Sequence, residues 1–146
     1  ELDRRYPDRA RMRPADPAGF AGAWDIVERL WGETVERARR LPPGLLHESV
    51  DDEWSFTETL RHLIYATDAW FRHGVLDDPQ AYHALALSHS EARGEDPGID
   101  LNATPTYDEV LAVRRENQEQ LRAFLAAHGE VGADAEPLPA AERQGT

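Results

Sequence analysis

Apolar residues recur at intervals of three and four in three separate stretches, and polar residues fill the positions between them. In the first, Phe20, Ala23, Trp24, Val27, Leu30, Trp31, Val35, Ala38 and Leu41 form one stripe, a period that suits a helix and no strand. Asp16 is placed to cap this helix, Pro17 follows where a missing N–H costs nothing, and Pro42 with Pro43 prevents continuation. Arg39 and Arg40 stand at its end, where the helix dipole favours positive charge.

The second stretch opens with Ser55 and Glu58, the S-x-x-E spacing of a reciprocal capping box, and Gly74 is placed to end it. Leu60, Leu63, Ile64, Thr67, Trp70 and Phe71 form its main stripe, and His62, Ala66, Ala69 and His73 recur on an adjoining face. The third begins at another box, Thr106 and Glu109 behind Pro105, and runs to about His128 before Gly129. Its stripe is Tyr107, Val110, Val113, Leu121, Phe124 and Leu125, with Arg114 and Asn117 falling inside the row.

Between Val75 and Pro105 the turn formers Asp77-Asp78-Pro79, Gly94, Pro97 and Gly98 exclude a long helix, and Ala81 to Leu87 is the one piece suited to a short helical turn. A connection longer than about 15 residues is uncommon in a compact domain unless it is functional or mobile. After His128 the periodicity stops, so the reading is one helical domain over residues 1–128 and a poorly ordered tail over 129–146. The first residue is Glu1 rather than methionine, which fits a piece trimmed from something longer.

Composition narrows the chemistry. With 146 residues and 40% hydrophobic content there is material for one modest core. No run reaches the roughly 18 to 20 apolar residues of a membrane span and no signal peptide opens the chain, so the expected location is the cytoplasm with no membrane partner. A formal charge of -12 repels phosphate backbones, and nucleic acid is not an expected partner. The 16 basic residues are all arginine, a bias that goes with GC-rich bacterial codons. There is no cysteine, so disulfides, thiolate metal sites and a cysteine nucleophile are excluded, and any metal must be held by His, Asp or Glu.

The segment Asp52-Glu53-Trp54-Ser55-Phe56-Thr57-Glu58-Thr59-Leu60-Arg61-His62-Leu63, continuing through Ala66-Thr67-Asp68-Ala69-Trp70-Phe71, resembles the second helix of the DinB-like superfamily, with its Trp-Ser entry and a histidine just before leucine. Pro105 to Arg114 is similar to the third helix of that family. The opening Glu1-Leu2-Asp3-Arg4-Arg5-Tyr6-Pro7 resembles members fused to pentapeptide repeats. The resemblance implies an all-α, up-down-down-up four-helix bundle, often a homodimer, related to the N-terminal domain of mycothiol-dependent maleylpyruvate isomerase. It also implies a divalent metal such as zinc or nickel, a low-molecular-weight thiol such as mycothiol, and a small-molecule substrate in a transferase or hydrolase reaction.

His62 alone carries over as a metal ligand. The family's other two ligands form an H-x-x-x-H pair on the fourth helix; this sequence contains no H-x-x-x-H, and no fourth helix is readable in it. One imidazole cannot hold a catalytic ion, which takes about three protein ligands and an open position. Either the site is completed elsewhere, or the scaffold is a non-catalytic interaction or small-ligand module.

His83 and His89, six residues apart in the long connection, are the only histidines that could join His62 by a loop movement. His73 is eleven positions on, about 16 Å along a helix, and cannot share an ion with it. His47 and His128 have no partner spacing. Arg114 and Asn117 suit anion or thiol contacts, but the simpler reading has Arg114 reaching out to solvent and Asn117 bonding across the bundle. The four tryptophans are expected to pack the core, and Asp51, Asp52 and Glu53 to serve the dipole of the second helix. No G-x-S-x-G, phosphate-binding glycine loop or H-E-x-x-H is present.

Overall fold

The computed structural model describes residues 2–7, 17–89 and 96–128. The structure is all-α: after one turn at Leu2–Arg5, three helices follow, α1 at Pro17–Ala38, α2 at Phe56–Thr67 and α3 at Tyr107–His128, with no strand among the described residues. The Asp16 cap and the tail 129–146 lie outside the described residues.

Both capping boxes form. Ser55 Oγ accepts the Glu58 N–H at 3.2 Å while Glu58 accepts the Ser55 N–H at 2.8 Å. Thr106 and Glu109 repeat the exchange at 3.3 and 2.7 Å. These bonds satisfy donors that the first helical turn leaves free. Helix α1 ends at Ala38, three residues before the last position of its stripe, and Leu41 is exposed. A 3-10 turn at Pro43–His47 then brings Leu46 into the core, where its carbonyl accepts the Thr57 hydroxyl at 2.8 Å.

Helix α3 is the shared element, packed against α1 and against α2. Leu60 and Ile64 of α2 meet Tyr107, Val110, Leu111 and Val113 of α3, with Ala38, Leu46 and Ala86 closing the cluster. The α1 stripe is covered only in part. Phe20 and Leu30 remain 53% and 39% exposed, whereas Ile26, which falls between the stripe's positions, is buried.

Helix α2 does not end at Thr67 but continues as a π-helical turn, Asp68–His73. The wider turn breaks the three-and-four rhythm, and Trp70, a stripe position by periodicity, stands 80% exposed while Asp68 and Phe71 are buried. Such turns are rare and are found frequently at functional sites. Gly74 closes the turn with φ -74°, so its glycine is required by space rather than by a left-handed backbone: a Cβ there would sit 2.7 Å from the Trp70 carbonyl oxygen.

The connection from α2 to α3 contains no short helix at 81–87; one reverse turn, Ala86 N–H to His83 carbonyl at 3.0 Å, is all that forms. Its bonds go to α2 instead. Arg61 Nε donates to the Leu85 carbonyl at 2.9 Å, the Leu87 N–H donates to the Arg61 carbonyl at 3.2 Å, and Arg72 donates to Asp78 and to the Gln80 carbonyl. Residues drawn into these contacts lie along α2 rather than along themselves.

Candidate functional site

His62 stands on the face of α2 that this connection covers. Its Nδ1 lies 2.9 Å from the Leu87 carbonyl oxygen. A carbonyl only accepts, so Nδ1 carries the proton, and in the neutral ring Nε2 keeps its lone pair. Fixing one nitrogen of a histidine on a backbone carbonyl is how proteins set the tautomer of a ligating or proton-accepting imidazole.

Aromatic rings surround it. Trp54, at the entry to α2, has its ring centroid 4.7 Å from that of His62, Tyr65 lies at 5.7 Å, and His89 at 4.5 Å. Tyr65 in turn stacks on Tyr82 at 5.6 Å. Beside the same strap a cleft of about 290 Å³ is lined by Glu58, Arg61, Leu87, Ser88 and Asp100 among others. Ser88 is 1% exposed, and its hydroxyl has no hydrogen-bond partner among the described residues.

Of the two loop histidines, His89 reaches His62 and His83 does not. The His83 Nδ1 accepts the Leu85 N–H at 3.0 Å, which holds the ring within its own turn. His47 and His73 are exposed, and His128 stacks on Phe124 and bonds the Phe124 carbonyl. Among the described residues no group of three or more His, Cys, Asp or Glu side chains is placed to hold a metal ion. His62 and His89 are two imidazoles where a catalytic zinc takes about three protein ligands, so the described residues fit part of such a centre and not the whole.

A second polar assembly lies inside the bundle. Asp68 is fully buried; its Oδ2 accepts the His83 N–H at 2.9 Å, and its Oδ1 accepts from Asn117 Nδ2 at 3.3 Å. Arg72 Nη1 is 3.7 Å from the same Oδ1. Burial raises the Asp68 pKa above the usual carboxylate range, an effect opposed by the His83 N–H, by Arg72 and by Asn117. Asp68 follows Ile64 by four and Leu60 by eight, so the periodicity itself marked an acid on the core stripe. Asn117 bonds across the bundle as expected.

Arg114 does not reach solvent. It is 8% exposed, its guanidinium carbon lies 5.6 Å from the centroid of the Trp31 ring, and its Nη1 is 3.5 Å from the Leu63 carbonyl. Burial lowers its pKa to about 10. Nor do the tryptophans all pack the core: Trp70 faces solvent and Trp54, 37% exposed, lies against His62.

No helix among the described residues is long and apolar enough to cross a membrane. Comparisons with curated proteins and with solved structures gave no significant match. The DinB superfamily profile, however, matches residues 26–145, which takes in all three helices apart from the first turns of α1, and the chain belongs to the DinB superfamily.

Proposed function

We propose that the chain serves as a metal-dependent, thiol-linked transferase or related hydrolase of the DinB type, with the site at His62. The observation that carries this reading is the bond from His62 Nδ1 to the Leu87 carbonyl, which leaves Nε2 as a donor lone pair beside a second imidazole, His89. The donor set contains no thiolate, because the chain has no cysteine, and is of the nitrogen and oxygen kind that suits zinc or nickel. A bound divalent ion would lower the pKa of a thiol such as mycothiol or of a water. The chain's own part is to hold the His62 ring in one orientation and to flank it with Trp54 and Tyr65.

Metal analysis of untagged protein tests this. Zinc, nickel or manganese should be retained by the native chain, lost in His62→Ala and weakened in His89→Ala, with helicity kept in both variants. No metal above background in the native chain, or equal metal in His62→Ala, overturns it.

The second reading is a non-catalytic helical module that binds a partner or a small ligand. It is favoured by the apolar groove on α1, about 320 Å³ and lined by Val27, Leu30, Trp31, Thr34 and Phe56. A second copy of the chain is the proposed cover, making a homodimer. Sedimentation tests that cover: a monomer at all accessible concentrations removes the homodimer.

A further inference from the structure

The cavity between α1 and α3, roofed by Leu60 of α2, is about 160 Å³ and holds the Arg114 side chain in its wall. Three of its features point to one class of ligand. Trp31, Val35, Leu60 and Leu111 make most of the wall apolar. Arg114 brings a positive charge that is 92% removed from solvent, and among the described residues no carboxylate lies within ion-pair distance of it. Gly32 borders the same space, and a Cβ built there would meet nothing within 4 Å.

A buried charge is ordinarily paired, because leaving water without a counter-charge costs several kcal/mol. The guanidinium has five N–H donors, and the long contact to the Leu63 carbonyl with the Trp31 ring face accounts for one donor and one face. Glu28, which also borders the cavity, is paired with Arg122. The remaining donors form a planar fork whose natural complement is a carboxylate bound through both oxygens. A space of this size in other proteins takes a molecule as large as benzene.

We propose that this cavity is a binding site for a small organic monocarboxylate, with Arg114 holding the carboxylate and the hydrocarbon part lying against Trp31, Val35 and Leu111. The site is separate from His62, so it stands whether or not a metal binds there.

Benzoate is the probe, titrated calorimetrically into the full 146-residue chain with benzamide, inorganic phosphate and acetate in parallel. Benzoate should give saturable one-to-one heat below about 10 mM, with benzamide and phosphate at least about tenfold weaker, since charged hydrogen bonds and the apolar wall each contribute that much. Acetate should bind more weakly than benzoate because it leaves the wall uncovered. Arg114→Met should lower affinity by about ten- to a hundredfold. Gly32→Leu, which builds a side chain into the space from a position whose Cβ meets nothing within 4 Å, should block benzoate while keeping the melting temperature at or above that of the parent, as a glycine is the weaker helix former. Absence of saturation, equal binding of benzamide or phosphate, or unchanged affinity in either folded variant overturns the proposal.

Discussion

Asp68 accepts the backbone N–H of His83 at 2.9 Å, so a carboxyl group at the start of a π-helical turn holds a residue fifteen positions along the chain. The bond ties the connection after α2 to the interior of the bundle, and Asn117 ties the same carboxyl to α3. Three segments distant in sequence therefore meet on one acid.

The pH dependence of stability should show it. A carboxyl whose pKa is raised in the folded chain from its ordinary 3.8 binds a proton more readily folded than unfolded. Its contribution is present at low pH and lost as the pH climbs from the ordinary value through the raised one. Asp68→Asn, with the Asn117 amide turned to accept, removes that titration. The unfolding free energy of the variant should gain on that of the parent as pH rises from the ordinary carboxyl value through the raised one. Urea titrations across that range check it, and a difference independent of pH rejects it.

Asp68→Ala should be more damaging than Asp68→Asn. It orphans the half-buried His83 N–H and the buried Asn117 amide, at a cost of about 1–3 kcal/mol for each group left without a partner and out of reach of water. Equal stability of the two variants would show that these donors find water.

Ser55→Ala removes one arm of the α2 box and should cost about 1 kcal/mol. Thr57→Val takes the hydroxyl from the Leu46 carbonyl in a buried place and should cost about 1–3 kcal/mol. Thermal denaturation of both, with Trp70→Ala as a control expected within about 0.5 kcal/mol of the parent because that ring is solvated, orders the three.

Gly74→Ala should cost about 1–3 kcal/mol, since the added methyl meets a backbone oxygen that cannot rotate away. A right-handed helical position without that contact would instead profit from the change, so a stabilised variant contradicts the geometry at the end of the π turn.

What the sequence made legible was local. The boxes at Ser55–Glu58 and Thr106–Glu109 involve residues three apart, and both formed with the expected partners. The α3 stripe with Arg114 and Asn117 inside it is a periodicity, and both side chains are buried there. The π turn was not legible, because no short-range signal distinguishes it from a continuing α-helix; Trp70 was accordingly placed on the wrong side. The pairing of His62 with His89 rather than with His83 depends on where Leu87 crosses α2, a contact across 25 residues that periodicity does not encode. Arg114 was expected to extend outward, and its burial follows from the approach of α1 through Trp31.

The strapping of residues 78–87 along α2 has a consequence for how this region tolerates change. Surface connections usually absorb inserted or deleted residues. Here Asp78 and the Gln80 carbonyl are both held by Arg72, His83 by Asp68, and Leu85 and Leu87 by Arg61 and His62, so three places along the helix and its π turn fix the spacing of the stretch. Adding or removing a single residue would put each later strap out of step with its anchor and rotate the imidazole's carbonyl away, so this stretch is bound to a fixed length in a way that its lack of regular structure does not suggest.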